Sequence, residues 1–135
     1  MRSLTTGKLK QRLIGFPYKS YVVFDICFPK GSTTRVSETS YIGYFVDAEL
    51  SMHNVRSPLR FSVNKGLQLN LLLEELFVVL GTVEPDTKVV FDVLIPEGDF
   101  RCSFVGAENI DLGLRGKKRR AVIIYLKFKP KVVRA

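Results

Sequence analysis

The sequence holds no tryptophan, one histidine, two cysteines and two methionines in 135 residues. Each scarcity closes off a class of function. Two thiols cannot supply the framework of a disulfide-stapled domain. Cys27 and Cys102 both fall in strand-like segments, where a small buried free thiol is the ordinary occupant. A bridge between them would need neighbouring strands with matched Cβ positions. His53 stands in a turn with no Cys, Asp or Glu at ligand spacing, so no metal site is expected. Neither a phosphate-cradling glycine loop nor a nucleophile elbow is present, and the chain is expected to be non-enzymatic and to carry no cofactor. No apolar run approaches the ~18 residues of a membrane-spanning helix. Arg2, Lys8, Lys10 and Arg12 are followed by no apolar secretion segment. The expectation is a soluble intracellular protein of the cytoplasm, the nucleus or the inner face of a membrane, not a secreted one.

Acidic residues are also in short supply. Thirteen Asp and Glu face 21 Lys and Arg, a formal charge of +8. A surplus of that size in a small domain points to an acidic partner, either a nucleic-acid backbone or an anionic membrane surface. An apolar fraction of 46% and a mean hydropathy of +0.10 indicate one packed domain over residues 1–135.

The most informative pattern is a decapeptide that occurs twice, as Val22–Gly31 and Val89–Gly98. Each copy reads as an apolar strand carrying one Asp and stopped by Pro-x-Gly. Between and around the copies the periodicity changes. Leu69, Leu72, Leu73, Leu76, Phe77 and Leu80 recur at helical spacing and predict one strong helix over 67–80, capped by Asn64 and ended by Gly81. A weaker helix is expected within residues 1–15, from Leu9, Leu13 and Ile14. Tyr41–Met52 alternates as a long strand with Ile42, Tyr44, Val46, Ala48, Leu50 and Met52 on one face and a bend near Gly43. Residues 106–116 read as an irregular loop. The pattern predicts an α+β fold, a mainly antiparallel β-sheet or sandwich with one strong helix, a short N-terminal helix and an internal pseudo-repeat (22–31 and 89–98).

Five cations occupy six residues at Arg115, Lys117, Lys118, Arg119 and Arg120. Their mutual repulsion keeps them at the surface, and Lys127, Lys129 and Lys131 extend the charge. Cations of this density contact phosphates. Lys8, Lys10, Arg12 and Arg60 form a secondary basic set. Leu69, Leu72, Leu76 and Leu80 offer an apolar helix face for a subunit interface. Asp25 and Asp92 are the matched acids of the two decapeptides; paired carboxylates can share a proton, but their strand neighbours are unlike the Asp-Thr-Gly loops that do so. The aromatic residues read as core, since no alternating Gly/aromatic octamer of the RNA-binding sheet type is present.

Gly15-Phe16-Pro17, followed by Val22–Phe28 and Gly31-Ser32-Thr33, resembles the N-terminal part of bornavirus-type matrix proteins over roughly a quarter of the chain. The resemblance implies a small, sheet-rich, basic virion protein that self-assembles, binds RNA and lines the inner face of a membrane. The expected function is therefore polyanion binding and assembly, with RNA or an anionic membrane as partner and a homo-oligomer as the working form. The alternative is a protein-interaction or transport accessory factor that uses the basic run as an import or docking signal.

Overall fold

The structure is a computed structural model that describes residues 4–27, 40–50, 57–95 and 98–128. Six strands close one barrel: β1 (Tyr21–Cys27), β2 (Ser40–Leu50), β3 (Leu59–Lys65), β4 (Val89–Ile95), β5 (Gly98–Leu114) and β6 (Lys117–Phe128). Two short helices, α1 (Thr6–Leu13) and α2 (Leu73–Leu80), precede β1 and β4. The expected sheet or sandwich with a dominant helix is thus corrected to a barrel. Consecutive strands pair antiparallel within each triplet, and the triplets join through two parallel seams, β3 with β4 and β6 with β1. Closure pairs the outer edges of the triplets along both seams, with Lys117–Arg120 of β6 projecting beyond the second.

The two triplets are related by an internal pseudo-two-fold. Thr5 bridges Lys88, and the residues 67 positions apart from each, Leu72 and Tyr21, bridge in the same way. Thr6 donates its backbone N–H to Thr87, as Leu73 does to Ser20; Val89 donates to Leu4, as Val22 does to Leu71. Each triplet also has a bulge at the matching point of its second strand, between Phe45 and Asp47 in β2 and between Phe104 and Gly106 in β5. The sequence around the bulges repeats as well, as Phe45-Val46-Asp47-Ala48-Glu49 and Phe104-Val105-Gly106-Ala107-Glu108. Val46 and Val105, the extra residues, are both exposed. Residues 28–31 and 96–97 of the decapeptides lie outside the described residues.

The bulge corrects the strand pattern expected for β2. Tyr41, Gly43 and Phe45 face inward before it, while Ala48 and Leu50 pair with the inward Phe61 and Leu59 after it. One extra residue shifts a period-two pattern to the other face. The expected bend near Gly43 falls instead at Val46.

Helix α2 is shorter than the 67–80 periodicity implies. Its N-cap is Leu72, whose N–H is accepted by Glu75 Oε1 at 2.9 Å, rather than Asn64. Residues 66–71 are not helical and Leu72 is extended, because Leu71 accepts from the Val22 N–H and Leu73 donates to the Ser20 carbonyl. The edge of β1 claims those peptide groups before a helix can. Leu9 and Leu13 of α1 and Leu73, Leu76 and Leu80 of α2 are buried in the main core, with Phe24, Phe61, Phe91 and Ile124. Ile14, expected beside Leu13, is exposed. A smaller cluster lies outside the barrel wall, where Val23, Ala121 and Ile123 are covered by Tyr21, Leu69, Ile110, Leu112 and Tyr125. No helix among the described residues is long and apolar enough to cross a membrane.

Candidate nucleic-acid interface

The segment expected as a loop over 106–116 is a strand. β5 runs to Leu114 and pairs with β6 down to Lys117, and the chain reverses through Arg115 and Gly116. Both turn residues have positive φ, 53° and 76°, the conformation of a tight two-residue hairpin whose twist matches its strands. β1 joins β6 only from Ala121 onward, opposite Tyr21. Among the described residues, Lys117–Arg120 therefore pair with β5 alone. A two-stranded ribbon extends about 13 Å beyond the last β1–β6 pair, four residues at the strand rise.

Strand alternation divides the cations between two faces. Val122, Ile124 and Leu126 face the main core, whereas Ala121 and Ile123 face the outer cluster. Lys117 and Arg119 continue the outer face, beside Leu112 and Ile110. Lys118 and Arg120 continue the inner face, where Arg120 stands opposite Asp111 and Lys118 opposite Gly113. All five cations of 115–120 are exposed. Asp111 is the single carboxylate in the ten residues 111–120, so the ribbon carries a net charge of five minus one, +4.

The other basic residues do not gather there. Lys127 is on the outer face of the same strand, seven residues or about 23 Å beyond Arg120, opposite Cys27. Lys129 and Lys131 lie outside the described residues, as does His53. Arg60 is committed to an ion pair with Asp92. Arg12 lies over the Phe104 ring, 5.2 Å from its centroid, near the base of β5. Lys8 and Lys10 are exposed on α1.

Asp25 and Asp92 occupy equivalent places on β1 and β4 with two strands between them either way round the barrel, so no shared-proton site forms. Asp92 is buried and clamped on the outer wall by Arg60 from β3 and Arg101 from β5. Among the described residues no group of three His, Cys, Asp or Glu is placed to hold a metal. Of the leucines expected at a subunit interface, Leu76 and Leu80 are core residues, Leu69 packs on the outer cluster, and Leu72 is half-buried at its bridge to Tyr21. The exposed apolar residue of α2 is Val78. Cys27 is exposed, not buried, and Cys102 is buried; both are free.

On the outer wall below the ribbon, the Tyr125 hydroxyl donates to Glu108. That bond, then desolvation, then the charges of Glu108 and Asp25 push the phenol above its ordinary value. The outer face thus changes character along β6, from cationic at Lys117 and Arg119 to acidic around Tyr125.

Asp111, Arg101 and Tyr21 had no place in the sequence-derived site. A signal for the ribbon itself was present, because Ile110, Leu112 and Leu114 alternate with Asn109, Asp111 and Gly113 up to an Arg-Gly turn. No family model, curated protein or solved structure matches the chain.

Proposed function

We propose that the protein is a non-enzymatic RNA-binding protein that grips single-stranded RNA phosphates with the β5–β6 ribbon. The observation that carries this is the overhang: five exposed cations on a paired hairpin that no third strand among the described residues covers. Strand pairing fixes the backbone that carries the cations, so little backbone entropy is lost when their side chains meet phosphate. Their distribution over both faces favours a flexible single strand, which can wrap a ribbon, over a rigid duplex that meets one face at a time. Affinity would come mainly from counterion release and be largely independent of sequence. Assembly of copies along the RNA, the role implied by the matrix-type resemblance, belongs to the same proposal. Free thiols at Cys27 and Cys102 fit a reducing intracellular compartment.

The test is binding of fluorescent single-stranded RNA across a salt series. Wild type is compared with a variant carrying Lys117→Ala, Lys118→Ala, Arg119→Ala and Arg120→Ala. Wild type is expected to bind with a steep salt slope, and the variant's slope to be shallower by as much as about 3 units, at about 0.7 per phosphate neutralised. Assembly shows as cooperativity in the same titration. Equal slopes would move RNA off the ribbon. Absence of binding at low salt, with binding to anionic vesicles instead, would replace RNA by lipid as the polyanion.

A further inference from the structure

We infer that Tyr21 is a base-stacking platform at the foot of the ribbon, so that the site recognises single-stranded RNA by base as well as by phosphate. This rests on the ribbon being the RNA site. The two ribbon faces differ in what lies below the cations. The inner face leads from Lys118 and Arg120 to Asp111 and Asn109, a carboxylate and an amide. The outer face leads from Lys117 and Arg119 to Leu112, Ile110 and Tyr21. Tyr21 is the direct neighbour of Ala121, two residues from Arg119 on the same face. From strand spacing and rise, their Cα atoms are about 8 Å apart.

The surroundings of Tyr21 suit a stacked base. Its ring is half-buried against Val23, Ala121 and Ile123, so its position is set by packing and its remaining surface faces outward. Ala121 has a side chain too small to screen it. Tyr125 is the other tyrosine on this wall, but its hydroxyl is engaged by Glu108, and that carboxylate and Asp25 would repel an approaching phosphate. Tyr21 is thus the tyrosine of this wall that sits next to the cations and away from the acids. A strand whose phosphates lie on Lys117 and Arg119 presents its next base to this ring. An aromatic face stacks any base, so the outcome is preference for unpaired over paired RNA rather than a sequence code.

The experiment compares two probes, an oligoadenylate RNA and inorganic polyphosphate of matched charge, on full-length protein. Tyr21→Leu keeps the apolar packing and removes the ring; Tyr21→Phe keeps the ring. The expected result is that Tyr21→Leu weakens RNA binding by about fivefold or more, leaves polyphosphate binding within roughly twofold, and that Tyr21→Phe behaves as wild type on both. A second measurement needs no variant: RNA containing 4-thiouridine, irradiated on wild type, should crosslink to Tyr21. RNA binding that Tyr21→Leu does not weaken, with no crosslink at Tyr21, overturns the stacking inference and leaves the ribbon reading intact. Failure of wild type to bind the RNA at all overturns the ribbon reading, and the inference with it.

Discussion

Gly43 is the most crowded glycine among the described residues, and replacing it tests how β2 shares volume with β1 and β3. A Cβ added there would lie 2.8 Å from Ile26 Cδ1, 2.8 Å from Val63 Cγ1 and 3.0 Å from the Asn64 carbonyl oxygen. The carbonyl belongs to a paired strand and cannot yield, so the side chains must. In the other half the equivalent position is Cys102, paired with Phe91 where Gly43 is paired with Phe24. Overpacking by one methyl costs about 1–3 kcal/mol. The stiffer unfolded chain of an alanine variant returns up to ~1 kcal/mol. Gly43→Ala should therefore destabilise by about 1–2 kcal/mol, a Tm loss of about 3–10 °C for a domain of this size. Ile26→Val alone should cost about 0.5–1.5 kcal/mol. Because it removes the clashing Cδ1, the double variant should be destabilised by less than the sum, with a coupling of about 0.5–1.5 kcal/mol. Urea unfolding followed by circular dichroism reads all four corners of the cycle. Gly113→Ala is the control, because nothing lies within 4 Å of its added Cβ. Strict additivity, or a neutral Gly43→Ala, would refute the shared-volume argument.

Three other outcomes follow from groups on the wall. Asp92→Ala leaves Arg60 and Arg101 facing each other without their carboxylate, and should cost about 1.5–3 kcal/mol in chemical unfolding, the range for hydrogen bonds to charged groups. A thiol reagent at mildly alkaline pH should titrate Cys27 alone in the native protein and Cys102 only after unfolding, since burial and then the Asp92 charge push Cys102 from 9 up to about 12. The same shift makes stability pH-dependent. The raised native value favours the protonated thiol, so its contribution is complete below pH 9 and lost as pH rises towards 12. Stability should fall there by at most about 1.4 kcal/mol per pH unit for this group, and Cys102→Ala should flatten that limb. Tyr125, also raised, adds its own loss only above its ordinary value of 10.

What could be read from the chain was local, and what could not was decided by closure. The Asp-bearing strands, the shared side of Leu9 and Leu13 and the exposure of 115–120 all follow from patterns within a few residues. The barrel does not, because its parallel seams join Leu59 to Val89 and Tyr21 to Ala121, pairings that no short pattern encodes. Helix α2 starts later than expected for the same reason: Leu69, Leu72 and Leu73 keep helical spacing, yet the start of β1 takes the backbone of Leu71–Leu73. In β2 the apolar alternation across Tyr41–Leu50 masked the bulge, since Val46 is as apolar as its neighbours while exposed. The second repeat, Phe-Val-x-Ala-Glu, would have located both bulges, but its offset differs from that of the decapeptides, so one shift of the sequence against itself does not show both. For the site, charge density identified the segment, whereas the pairing that stiffens it and the tyrosine beneath it depend on strand register.

The most direct measurement of the central claim is a titration of isotope-labelled full-length protein with single-stranded RNA, followed by backbone amide shifts. If the ribbon holds RNA as proposed, the largest changes fall at 110–121 and at Tyr21, with Lys127 and α2 unmoved. Changes centred on the far end of β6, on α2 or on the β2–β3 side, with the ribbon silent, would contradict it.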